Sequence, residues 1–139
     1  MSRNRVQNMT NERLSPDAVK RVSGPAWSAL KPLFFQISDI LLDVNGDCFG
    51  ELTTIYVKYQ VSTIPSSAVF AVVWLKNSAQ IVLGLALPDS VDSPLLGPAP
   101  KGMTYRGLTK YFTLKAGDSV PSELSTWAGV AYGVAKTQE

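Results

Sequence analysis

Residues 52–87 read LTTIYVKYQVSTIPSSAVFAVVWLKNSAQIVLGLAL, and this stretch decides the fold class. Within residues 52–61, Ile55, Val57, Tyr59 and Val61 alternate with Thr54, Tyr56, Lys58 and Gln60. That period of two, carried by β-branched and aromatic residues, predicts one half-buried strand. Residues 62–67, with Pro65, supply a turn. Two apolar runs, 68–76 and 79–87, then flank the polar pair Asn77-Ser78, which marks a hairpin. In the second run Ile81, Leu83, Leu85 and Leu87 oppose Gln80, Val82, Gly84 and Ala86, so one face is large and the other small.

Upstream, Trp27, Leu30, Phe34, Ile37 and Leu41 recur at spacings of three and four, with Leu33 and Ile40 widening the stripe. This predicts a helix laid on a core, either starting near Ser28 with Pro32 in its opening turns or kinked at Pro32. Asn45-Gly46 suits a left-handed cap at its end. Ser15-Pro16-Asp17 has the order of a helix start and predicts one or two turns through Val22. Residues 1–24 are otherwise expected to form a basic, mostly flexible arm.

Downstream, residues 88–104, PDSVDSPLLGPAPKGMT, hold four of the nine prolines and read as a long loop. A strand is expected over 107–115, able to join either edge of the sheet. Leu124, Trp127, Val130, Ala131 and Val134 form the stripe of a closing helix. The expected architecture is α+β, a single domain over residues 25–136. Its mainly antiparallel sheet has four strands and is packed by an N-terminal and a C-terminal helix.

Several of these stretches resemble the small bacterial domain-of-unknown-function family 5655, for which predicted transport protein is an older label. The resemblance rests on Thr54-Ile55-Tyr56-Val57, Phe70-Ala71-Val72-Val73, Leu83-Gly84-Leu85-Ala86-Leu87-Pro88 and Ser93-Pro94-Leu95. It continues in residues 109–114 and in Leu124, Trp127 and Ala131-Tyr132, covering about residues 26–135. It implies a compact α+β module, in some members joined to nuclease-like domains, with no established activity and no catalytic residue to carry over.

Composition removes much familiar chemistry. The chain of 139 residues has no histidine and one cysteine, Cys48, so histidine triads, imidazole or thiolate zinc sites and internal disulfides are excluded. The serines have no base other than lysine to activate them. Asp43-Val44-Asn45-Gly46-Asp47 resembles the start of a calcium loop, but Cys48 stands where glycine belongs and Thr54 where a bidentate glutamate belongs. No metal and no cofactor are expected, and Cys48 reads as a structural thiol. With no apolar leader and no apolar run near the ~20 residues of a membrane helix, a cytoplasmic protein that does not engage membrane is expected.

Net charge is +2, but Arg3, Arg5, Arg13, Lys20 and Arg21 against Glu12 and Asp17 give residues 1–24 a local +3. Residues 93–117 carry Lys101, Arg106, Lys110 and Lys115 without an acid, interleaved with Tyr105, Tyr111 and Phe112. Cations beside aromatic faces suit single-stranded nucleic acid, whereas lysines on a solvated edge strand also serve only to discourage association. If both helices pack on one side of the sheet, the other side would expose Tyr56, Lys58, Phe70 or Trp74, Gln80, Tyr111 and Lys115 unless the Pro-rich loop or the N-terminal arm covers it. Three functions follow. The first is a non-catalytic module binding a protein partner or a second copy through that face and the loop. The second is a nucleic-acid accessory module using Arg106, Lys110, Tyr111 and Lys115. The third is small-molecule binding beneath residues 88–104.

Overall fold

The computed structural model describes residues 12–139, so the expectation for residues 1–11 lies outside the described residues. Among the described residues three named α-helices and five strands follow one another: α1 Pro16–Val22, α2 Lys31–Leu42, β1 Phe49–Thr53, β2 Tyr56–Gln60, β3 Val69–Asn77, β4 Gln80–Leu85, β5 Lys110–Lys115 and α3 Leu124–Thr137. The class is α+β, and the sheet is an antiparallel meander in the order β1-β2-β3-β4-β5.

The strand count corrects the expectation of four. Residues 52–61 are not one strand. The chain reverses at Thr54-Ile55, so that Thr53 pairs with Tyr56 and Glu51 with Lys58. Thr54 takes φ of +46°, a conformation usually left to glycine or asparagine, and the unbroken strand-forming composition hid the turn. β5 joins the edge beside β4, with Gln80 opposite Lys115 and Leu83 opposite Phe112, so the long connection does not cross to the far edge.

Two other local expectations are refined. α2 begins at Lys31 with Pro32 in its first turn, where a missing N–H costs nothing, and a separate 3-10 turn spans Pro25–Trp27. The helix ends at Asp43 in right-handed conformation, not on a left-handed Gly46, and Asn45 Oδ1 instead accepts a hydrogen bond from the Asp47 N–H at 2.9 Å. The Asn77-Ser78 hairpin is present, with Asn77 Oδ1 accepting from the Ala79 N–H at 2.7 Å.

The helices lie against one face of the sheet. Leu33, Phe34, Ile37 and Leu41 of α2 and Leu124, Trp127, Ala128 and Ala131 of α3 are buried. Tyr59 is fully buried beneath α2, and its hydroxyl donates to Ser38 Oγ at 2.9 Å, so neither polar atom is orphaned. Part of the segment expected as an arm is also packed, since Leu14, Ala18 and Val22 join the same core.

Each sheet edge is covered in part. Beside β1, Gly50 accepts from the Ser15 N–H and donates to the Arg13 carbonyl, each at 2.8 Å, while the Leu52 N–H donates to Ser15 Oγ. Beside β5, Gly97 exchanges two backbone hydrogen bonds with Tyr111. The next outward positions offer no donor, because the Leu96 N–H is held by the Ser93 carbonyl and Pro98 has none.

Cys48 is fully buried, and burial pushes its thiol up from 9.0 to about 11, opposed by the hydrogen bond at Asn45 and by Arg13. The unfolded chain loses this proton first, so the contribution to stability is complete below about pH 9 and is lost as the pH rises towards 11. Urea midpoints measured across that range should fall less steeply for Cys48→Ala than for the unmodified chain.

Candidate functional site

The strand register sorts the candidate residues between two faces. Tyr56, Trp74, Val82 and Thr113 lie in one cross-strand row, and Lys58, Val72, Gly84 and Tyr111 in the next, all on the face away from the helices. Val57, Val73, Leu83 and Phe112 share the helix face, where Phe112 meets Trp127 edge-on at 5.8 Å.

The face expected to be open is covered. Residues 86–109 fold back across it and are seated by a chain of rings, with centroids separated by 5.6 Å from Tyr105 to Tyr56 and by 5.8 Å from Tyr56 to Trp74 and from Trp74 to Tyr111. The Tyr105 N–H donates to the Tyr111 hydroxyl at 3.1 Å. Gly84 lets the Tyr111 ring lie flat on the sheet, since a Cβ there would come within 2.5 Å of Tyr111 Cε2. Trp74 and Tyr111 are each only 3% exposed, and Tyr56 is half-buried. Burial pushes the Tyr105 and Tyr111 hydroxyls above the usual phenol range.

The seven candidate residues therefore separate by role. Tyr56, Trp74 and Tyr111 are brought together as the seat of the loop. Lys58 faces Glu51 across the β1–β2 hairpin at 3.9 Å. Lys110 does not point freely to solvent, because its ammonium donates to the carbonyls of Asp89 and Val91 and staples the start of the loop to β5. Arg106 and Lys115 are exposed. For a nucleic acid the basic strand offers cations without free rings, since Tyr111 and Phe112 are buried on opposite faces.

Two N-terminal cations that contributed to the local positive charge are structural. Arg21 donates from Nε and one terminal nitrogen to the Leu75 carbonyl and from the other to Thr54, and its guanidinium lies 5.5 Å from the centre of the Trp27 ring. Arg13 donates to the carbonyls of Leu42 and Asn45, capping the end of α2, and lies 3.8 Å from Asp43. Charge alone could not distinguish a guanidinium that ties loops from one that awaits a phosphate.

Ser28 and Lys31 stand at the Ser-x-x-Lys spacing of some acyl-transfer enzymes, with lysine as the base. Both are exposed at the start of α2, where nothing excludes water or supplies an oxyanion site. Among the described residues no three metal-ligating side chains converge, and no helix is long and apolar enough to cross a membrane. No family model matches the chain, nor does any curated protein or solved structure.

Four substitutions separate structural from free groups. Arg21→Gln should cost about 2 kcal/mol in urea denaturation, whereas Lys101→Gln and Lys115→Gln should stay within about 0.5 kcal/mol. Tyr111→Phe removes the acceptor of the Tyr105 N–H. Hydrogen exchange should then accelerate over residues 102–108 while the β3 and β4 amides keep their protection.

Proposed function

We propose that this chain is a non-catalytic interaction module that engages a protein partner through the ordered connection between β4 and β5. The observation that supports the reading is the construction of that connection. Residues 86–109 form no helix or named strand, yet they are held by the Gly97–Tyr111 backbone pair, the Lys110 ammonium, the Tyr105 N–H and the hydroxyl of Thr109, which bonds the backbone of Leu87. Connections longer than ~12–15 residues are uncommon in compact domains unless they serve a function.

At the turn Pro94-Leu95 this loop presents Leu95, 51% exposed, as one of two large hydrophobic residues left in solvent among the described residues; the other is Ile64. A loop already held in place loses little conformational entropy on binding, which favours Leu95 as an anchor in a partner's pocket. The resemblance to family 5655 belongs to this proposal as a suggestion of kinship and adds no residue role.

Light scattering of the purified chain, together with partner capture from the source cell, tests the reading using Leu95→Asp. A dimer, or a retained protein, that is lost in the variant while the folded spectrum is unchanged is the expected result. A monomer whose retained proteins are the same with and without Leu95 would remove the proposal.

A further inference from the structure

The turn that joins α2 to β1 carries the pair Asn45-Gly46, both exposed. Neither packing nor backbone conformation requires glycine at position 46. A Cβ built there meets nothing within 4 Å, and Gly46 is not among the glycines with positive φ, which are Gly102, Gly107 and Gly117. Asn77-Ser78 in the β3–β4 hairpin is the comparison within the same chain. In each pair the asparagine Oδ1 accepts from the backbone N–H two residues on, at 2.9 Å from Asp47 and at 2.7 Å from Ala79. The pairs differ in the residue that follows, since serine shields its own amide nitrogen with a side chain and glycine does not.

The Asn45-Gly46 turn also polarises the groups that would react with one another. The carbonyl of Asn45 belongs to the same peptide unit as the Gly46 nitrogen, and it accepts from the Arg13 guanidinium at 2.9 Å and from the Cys48 N–H at 3.1 Å. A cation on that oxygen draws electron density from the amide and makes the Gly46 N–H more acidic. That N–H donates to no acceptor among the described residues, and neither does the Asn45 Nδ2 amide. On the side chain, the Asp47 N–H stands on Oδ1, where negative charge develops when Cγ is attacked. Attacking nitrogen and carbonyl carbon are held in one turn, so no encounter has to be arranged.

We propose that Asn45-Gly46 is a self-modification site, at which the folded chain deamidates through a succinimide with Arg13 activating the attacking nitrogen. The Gly46 nitrogen loses its proton to solvent and bonds to Asn45 Cγ. The Cγ–Nδ2 bond then breaks, and the departing nitrogen takes up a solvent proton and leaves as ammonia. Water opens the ring in one of two ways. Breaking the bond from Cγ to the Gly46 nitrogen gives aspartate, whereas breaking the bond from the main-chain carbonyl carbon gives isoaspartate, with the chain continuing through Cγ. Either product exchanges a neutral amide for a carboxylate between Asp43 and Asp47. In isoaspartate the oxygen that Arg13 grips belongs to the new carboxylate, a stronger partner for the guanidinium. This site is separate from Leu95 and does not depend on the interaction proposed for it.

The test keeps the full chain for days in mildly acidic and in mildly alkaline buffer, well below its unfolding temperature. Peptide mass mapping then follows the exchange of NH2 for OH, with fragmentation that separates aspartate from isoaspartate. The exchange should accumulate at Asn45, faster in alkaline buffer because the attacking nitrogen must lose its proton, while Asn77 stays intact. Gly46→Ala should slow it several-fold, and the open space around that position keeps the variant folded. Arg13→Gln should slow it as well, with a circular dichroism spectrum showing that the fold persists. An Asn45 that stays intact in the folded chain and converts only in urea overturns the site, as does an equal rate in Gly46→Ala. An equal or faster rate in Arg13→Gln overturns the activation by the guanidinium.

Discussion

Everything in this fold follows from a strand that is apolar on both sides. From Phe70 to Leu75, β3 is buried at every position, at the centre of a five-stranded sheet. A sheet with two apolar faces requires two covering layers, because leaving either face in water would forfeit about 25 cal/mol for each Å² of apolar surface. The helices provide one layer. No further helix exists among the described residues for the other, so the connection between β4 and β5 provides it, and the aromatic chain from Tyr105 to Tyr111 holds it there.

That solution determines what is left to act. Rings that would stack on bases or meet a partner are spent on seating the loop. Cations that would meet phosphates are partly spent as well, with Lys110 on loop carbonyls, Arg13 on the end of α2 and Arg21 on the carbonyls of Leu75 in β3 and Thr54 in the β1–β2 turn. Chemistry is displaced outward to the surface of the loop, where Leu95 and Arg106 stand on opposite stretches of one anchored segment. A loop built like core can hold such groups in fixed positions without a helix or strand beneath each one.

Much of the fold was legible in the sequence. The hairpin at Asn77-Ser78 and the stripes of α2 and α3 each satisfy a local period that burial on one side imposes, as does the part of the alternation read over residues 52–61 that falls in β2. The β1–β2 turn was not legible, because Thr54 adopts a conformation that a threonine does not advertise. The covered face was legible only as a requirement. The apolarity of residues 70–75 on both sides demands cover, but no local pattern names Tyr105 or Gly84 as the pieces that fit. The roles of Arg13 and Arg21 were hidden for a similar reason, since their acceptors are backbone carbonyls tens of residues away that every sequence possesses.

By itself, then, the sequence determined the class of the protein, the placing of its helices and most of its strands, and the exclusion of histidine and disulfide chemistry, because these depend on composition and on periods of two and 3.6 residues. Tertiary structure alone decided which apolar face the loop would cover, which edge β5 would join, and which cations among the described residues would be tied to backbone carbonyls. Those outcomes depend on contacts between residues distant in the chain, where a single close approach such as Tyr111 against Gly84 selects one arrangement among several that the local pattern allows.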